Sequence, residues 1–309
     1  MEEQYVEMRD GHRLFVRIWR PKGEVKATLH INHGMAEHSY RYNRFATRLT
    51  NFGYAVFIQD HRGHGLTKEE DERGWFAESD GWNTVCEDSF AVDFMIEREY
   101  PGYPHFLMGH SMGSFIARNV LAKHPEAFVG AIIMGTGTSL KFAGKIGRYI
   151  ALRDVKKYGS RMPNQRMNKL SFGRYNSRIR NPRTEFDWLS HDGKEVDKYI
   201  EDPLCGFVCS SQFYADLIEG IEKANDRFRM KKIIKDMPML LISGQEDPVG
   251  GYGSGVKKVY NLYKRIGMTE VTLKLIPNAR HEILNEVNRD EVEKSIIDWM
   301  ENIVSDYHE

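Results

Sequence analysis

Along most of the chain, apolar runs of strand length alternate with stretches whose apolar residues recur at helical spacing. Residues 5–8 and 14–19 flank Asp10-Gly11, which predicts an antiparallel hairpin. Residues 27–32 read as a buried strand, and a helix over about 39–52 follows, closed by Gly53. After a strand at 54–58, Val85, Ser89, Val92 and Ile96 share one face of a helix around 82–100 that Pro101 stops. Phe106-Leu107-Met108, a helix-spaced stretch at 114–123 and a buried run at 129–134 continue the alternation. Residues 238–243 and 271–276 supply two later strands. Val292, Ile296, Trp299 and Ile303 stripe a last helix over about 290–304. Strands alternating with helices predict an α/β fold, a mostly parallel sheet covered on both faces, with its working residues at the carboxyl ends of the strands.

Between Met134 and Pro238 the alternation breaks. Residues 138–231 lack clear strands, and that length exceeds an ordinary connection. The expected organisation is a core of residues 1–137 and 232–309, with 138–231 inserted as a cap, or lid, over one end of the sheet. From Lys141 to Arg183 the insertion holds 13 Lys/Arg against the single acid Asp154, although the whole chain balances at 44 basic and 44 acidic residues. Phe142, Ile146, Tyr149 and Ile150 fall on one helical face, with Lys141, Lys145 and Arg148 elsewhere around it. Two readings stand: a basic amphipathic helix that contacts anionic lipid surfaces, or a cap wall that packs its apolar stripe on the core.

Overall charge balance gives no bias toward nucleic acid. No stretch approaches a membrane span, and Met1-Glu2-Glu3-Gln4 is not the start of a signal peptide. Three cysteines, Cys86, Cys205 and Cys209, give no even disulfide framework, so a cytoplasmic location is expected. Cys205 and Cys209 read as packing residues, with no Cys/His pair at zinc spacing.

The chemistry concentrates in Gly109-His110-Ser111-Met112-Gly113. A G-x-S-x-G run between a strand and a helix describes a nucleophile elbow, whose glycines let a strained serine project from the sheet. A serine hydroxyl needs a base and a group to orient that base, supplied in such folds in the chain order Ser, Asp or Glu, His. Asp247 and His281 follow the two later strands and fill those positions. Glu246 is the rival acid, and Pro248 favours Asp247 by fixing the turn. The backbone N–H groups of Met112 and, after His33-Gly34, of Met35 are the candidate oxyanion hole. Asp60-His61-Arg62-Gly63-His64-Gly65 lacks a third strong ligand and reads as a structural turn, so neither metal nor cofactor is called for.

Together, residues 33–38, 60–65 and 109–113 resemble the monoacylglycerol lipase and lysophospholipase branch of the α/β-hydrolases, also labelled serine aminopeptidase S33. The resemblance runs from about Arg13 to the C-terminal helix and is weakest over 138–200. It implies the same triad and oxyanion donors, and a lipid ester substrate, monoacylglycerol or lysophospholipid, with short-chain esters also turned over. Animal relatives commonly carry a small residue where Met35 stands, which bears on the shape of the acyl pocket. Gly34, Phe207, Phe213, Tyr214 and Leu217 are candidate substrate contacts, the last four being equally good core residues. A peptidase or amidase would need a cap carboxylate for a free amine, and Glu195, Asp197, Glu201 and Asp202 are available. A non-catalytic binding protein on the same scaffold would have no use for the strained serine.

Overall fold

The computed structural model describes residues 1–67 and 72–307. Its sheet comprises β1 (Glu2–Glu7), β2 (Arg13–Trp19), β3 (Ala27–Asn32), β4 (Tyr54–Gln59), β5 (His105–His110), β6 (Gly130–Met134), β7 (Met239–Gly244) and β8 (Val271–Ile276). The spatial order is 1-2-4-3-5-6-7-8, with β1/β2 and β2/β4 antiparallel and every later pair parallel. Helices α1 (Asn43–Thr50), α2 (Gly81–Glu99) and α3 (Met112–Lys123) precede β6. Between β6 and β7 lie α4 (Lys141–Tyr158), α5 (Gln165–Phe172), α6 (Gly193–Glu201), α7 (Ser211–Ala224) and α8 (Arg227–Met230), and α9 (Ser254–Arg265) and α10 (Arg289–Tyr307) follow β7 and β8. The helix expected over 39–52 is split, because Ser39–Tyr42 forms a 3-10 turn before α1.

Strands β3 to β7 are buried throughout, which explains why they read as continuous apolar runs. Their side chains alternate between two cores. Phe106, Met108, Ile132 and Ile242 pack with α1 and α10, while Leu107, Ala131, Ile133 and Leu241 pack with α2, α3 and α9. Both faces are thereby covered, and the carboxyl ends of β3, β5, β7 and β8 share one edge where loops can meet.

Helix α4 packs on α7 through small residues. A Cβ at Gly144 would lie 3.5 Å from Ile218, and one at Gly147 3.2 Å from it, while Ala151 on the same face is buried. The close approach of the two backbones turns the other face of α4 outward, so Phe142, Ile146 and Tyr149 are 73, 46 and 69 % exposed. Of the apolar stripe only Ile150 packs against the core, so the cap-wall reading holds for that residue and not for the other three.

One buried cation holds the stems of this long excursion. Arg118 on α3 donates to Thr136 Oγ1 (3.2 Å) and Gly137 O (3.1 Å) just after β6, and to Ala224 O (2.5 Å) and Asn225 Oδ1 (3.0 Å) at the end of α7. It also donates to the Tyr263 hydroxyl on α9 (2.9 Å). Arg118→Met removes the donors and leaves buried acceptors unpartnered, at an expected cost of about 2–4 kcal/mol. Urea unfolding reads this as a lower midpoint; an unchanged midpoint contradicts the clamp.

Candidate active site

Ser111 joins β5 to α3 with φ 52° and ψ −117°, a conformation that side-chain-bearing residues rarely adopt. Its N–H donates to Met134 O at 3.0 Å. A Cβ at Gly109 would lie 2.1 Å from Gly113 O, and one at Gly113 2.0 Å from Asn32 O, so neither position admits a larger residue. The turn presents Ser111 to a cavity of about 670 Å³ that His281 also lines.

His281 Nδ1 lies 3.0 Å from Asp247 Oδ1, and both residues are buried. Asp247 is itself held, since Oδ1 accepts from Val249 N–H (2.8 Å) and Oδ2 from Ser243 Oγ (3.0 Å). A carboxylate on Nδ1–H leaves Nε2 as the basic nitrogen. Glu246, by contrast, is exposed, with its carboxylate 3.2 Å from His191 Nε2.

The loop after β3 passes directly over the serine: a Cβ at Gly34 would be 3.3 Å from Ser111 Cβ and 2.6 Å from Glu37 Oε1. Gly34 N–H is taken by Glu37 Oε1 at 2.5 Å, so the next amide, that of Met35, is the one available to the site. Met112 opens α3, where first-turn amides lack helical acceptors. His33 braces this loop from behind. Its Nε2 accepts from His61 N–H (3.0 Å), so Nδ1 carries the proton and donates to Gly34 O (2.7 Å). Burial depresses His33 and His61 and pushes His64 down to about 3, consistent with neutral imidazoles.

The chain matches the family described as serine aminopeptidase, S33, over residues 23–288. It belongs to that family. The human monoglyceride lipase is 32% identical over 280 residues, covering 90% of this chain and 82% of the lipase. Among solved structures, a thermostable carboxyl esterase from Bacillus coagulans in complex with glycerol superposes with a TM-score of 0.90 at 29% identity, covering 98% of both chains. A soluble variant of the monoglyceride lipase from Saccharomyces cerevisiae shares the fold at TM-score 0.74 and 22% identity, over 98% of this chain and 95% of that one. The architecture is that of an α/β-hydrolase.

In this S33-family chain, the segment after β4 acts as a strut. Asp60 accepts from Ser39 N–H (2.7 Å), Ser39 Oγ (2.5 Å) and Leu66 N–H (2.8 Å), and Arg62 bridges Asp88 (2.6 Å) and Asp10 (2.7 Å). A different set of metal-type side chains meets in space, with ligand atoms of His38, Asp202 and Cys205 within 4.8 Å of one another. Their separation along the chain hides this from sequence. His38 Nε2 hydrogen-bonds Asp202 at 2.8 Å and thereby ties the oxyanion loop to the turn after α6.

Glu37 gathers the loops around the site. Besides Gly34 N–H, it accepts from the Tyr42 hydroxyl (2.9 Å) and Arg41 (2.9 Å), and it meets His110 Nδ1 at 3.2 Å. Arg41 reaches on to Glu282 at 2.7 Å, next to the histidine, whose ring lies 4.7 Å from that of His110. Burial alone would neutralise both partners. The hydrogen bond and the opposite charges outweigh it, holding the Glu37 carboxyl well below the usual range and raising His110.

Of the expected substrate contacts, Gly34 and Phe207 line the cavity. Phe213, Tyr214 and Leu217 do not. Helix α7 is wedged among α2, α3 and α4, so Phe213 packs on Phe76, Tyr214 hydrogen-bonds Asn168 at 3.0 Å and Leu217 packs against the core. The apolar wall comes instead from Met35 after β3, Phe172 at the end of α5, Trp188 and Leu189 on one 3-10 turn and Tyr199 on α6, which no local pattern connects.

Two outcomes are expected. Ser111→Ala abolishes ester turnover and Asp247→Asn lowers kcat by roughly 10⁴, while Glu246→Gln stays within about twofold of wild type; the reverse ranking of the two acids contradicts the assignment. The second concerns pH. The lowered Glu37 contributes stability that is present above its unfolded value of 4.5 and lost as pH falls through the folded one. The raised His110 contributes below its unfolded 6.5 and loses this as pH rises through its folded value. The stability difference between wild type and Glu37→Gln is therefore widest between about pH 4.5 and 6.5. A difference that stays flat across and beyond that window contradicts the ion pair.

Proposed function

We propose that this protein is a serine hydrolase that cleaves carboxylic esters of lipids through an acyl-enzyme, with monoacylglycerol its first substrate and lysophospholipid the next. The observation that carries the reading is the strained Ser111 facing an apolar-walled cavity that also receives His281, itself bonded to a fully buried Asp247. Ser111 Oγ attacks the ester carbonyl as His281 Nε2 takes its proton. The N–H groups of Met35 and Met112 hold the oxyanion, a pair worth several kcal/mol since one lost donor costs about 3–4 kcal/mol. The imidazolium protonates the leaving alcohol; the neutral imidazole then takes a proton from the water that attacks the acyl-enzyme and returns it to Ser111 Oγ as the fatty acid leaves.

Phe172, Trp188 and Phe207 suit an acyl chain, while Gln165, Asn168 and Asn176 in the same cavity suit a polar head. The relatives named as lipases and esterase point the same way. An aminopeptidase is less well served. Glu195, Asp197 and Asp202 pair with Lys198, Arg183 and His38, and neither they nor Glu201 line the cavity. Of the acids that do, Glu37 and Glu282 share Arg41, and Glu185 is exposed to solvent, which would weaken its hold on a free amine.

We take residues 138–231 as the cap, and α4 as the surface by which it meets anionic lipid. Phe142, Ile146 and Tyr149 project from a helix that carries Lys141 and Lys145. Arg148 is committed to Glu219 at 2.8 Å and takes less part. No helix among the described residues is long and apolar enough to cross a membrane. Three free cysteines favour the cytoplasm.

Turnover should favour monoacylglycerols over aminoacyl arylamides by well over tenfold in kcat/KM; the opposite preference overturns the ester reading. A variant combining Phe142→Ser, Tyr149→Ser, Lys141→Gln and Lys145→Gln should lose at least about tenfold in sedimentation with anionic vesicles while keeping soluble-ester turnover. Equal sedimentation contradicts the docking surface.

A further inference from the structure

The insertion does more than cover the site, because one of its turns is stitched to the base. The 3-10 turn Asp187–Leu189 runs beside the loop that carries His281. His281 N–H donates to Trp188 O at 3.4 Å, and Glu282 N–H to Leu189 O at 2.8 Å. Arg280 then closes over both ends of the turn, donating from Nη1 to Asp187 O (2.7 Å) and Ser190 O (2.9 Å). Glu286 ties the two segments again, accepting at Oε1 from Arg280 N–H (2.8 Å) and His191 N–H (3.0 Å).

The side chain of Trp188 completes the arrangement. Its indole ring lies 5.1 Å from the His281 imidazole and is backed by Tyr175 at 4.8 Å and Phe172 at 6.0 Å. The backbone N–H of Trp188 donates to Asn176 Oδ1 at 2.9 Å, so the residue is held through its backbone as well as through its ring. Asp247 holds the imidazole at Nδ1, and the His110 ring packs 4.7 Å from it. The indole adds a further contact to the ring, one supplied by the insertion.

We propose that Trp188 is a positioning residue for His281, and that the turn around it, held by Arg280, is part of the catalytic apparatus and not of the movable lid. The proposal rests on the serine-hydrolase reading and assigns the insertion two separate parts. The turn at 187–190 stays docked and keeps the base in line with Ser111, while α4, which touches this turn through none of the bonds above, is the part free to meet a surface. Loosening the turn lowers the rate of chemistry even for a small soluble ester that needs no lid.

The test uses the full chain and p-nitrophenyl butyrate. Trp188→Ala should lower kcat by about 10–100-fold, the scale of a misplacement of about 1 Å, with KM changed less than about threefold. Trp188→Phe, which keeps an aromatic face, should recover most of that loss, and Arg280→Gln should reproduce a fall in kcat with KM held. Arg280→Gln also decides the matter if Trp188→Ala fails to fold. A rise in KM with kcat unchanged in Trp188→Ala overturns the proposal, since that is the signature of a wall residue. So does Trp188→Phe as slow as Trp188→Ala. Failure of the underlying reading looks different: wild type itself would then show no Ser111-dependent ester turnover.

Discussion

Gly113 lies so close to the last residue of β3 that a Cβ there would sit 2.0 Å from Asn32 O. That contact presses the elbow against the strand whose next residues are His33, Gly34 and Met35. The position of the nucleophile and that of the oxyanion loop are therefore a single fact of packing. A side chain at Gly113 would separate them, and with them any chance that one carbonyl could meet Ser111 and both amides together. Ser111 holds its strained backbone because the parallel pairing of β5 with β3 and β6 leaves the turn no other course.

Buried charge then fixes what packing alone leaves loose. Glu37 takes Gly34 N–H out of play, orients His110 behind the histidine ring and, through Arg41, reaches Glu282 beside His281. Every member has a counter-charge, which is the condition under which buried ions are tolerable. The network thus connects three segments that lie far apart along the chain, the loop after β3, the end of β5 and the loop after β8. His33 performs the neutral version of this task, spanning Gly34 and His61 with one proton donated and one accepted.

Much of this was legible in the chain. Fully buried strands appear as unbroken apolar runs, and the elbow, Asp247 and His281 follow such runs in the chain order Ser, Asp, His. What stayed hidden depends on contacts between distant segments. Trp188 and Tyr199 carry no local pattern, and Phe213 and Tyr214 look identical in sequence whether they face a cavity or a core. No helix was expected at α9, although Val256, Val259 and Tyr263 stand at helical spacing. On α4 the large apolar residues suggest the buried face, but Phe142, Ile146 and Tyr149 are exposed while Gly144, Gly147 and Ala151 allow the close approach to α7, with Ile150 and Leu152 also packed inward. Hydrophobicity marks a surface as valuable without saying what will cover it.

The central claim is that Ser111 is an activated nucleophile whose reactivity depends on His281 and whose cavity takes a monoacylglycerol. Covalent labelling with a fluorophosphonate, followed by intact mass and peptide mapping, addresses all three parts in one experiment. The account predicts a single adduct on Ser111, formed far more slowly in His281→Ala and slowed in wild type by a monoacylglycerol present during labelling. An adduct on another residue, or labelling of Ser111 at the same rate without His281, contradicts it.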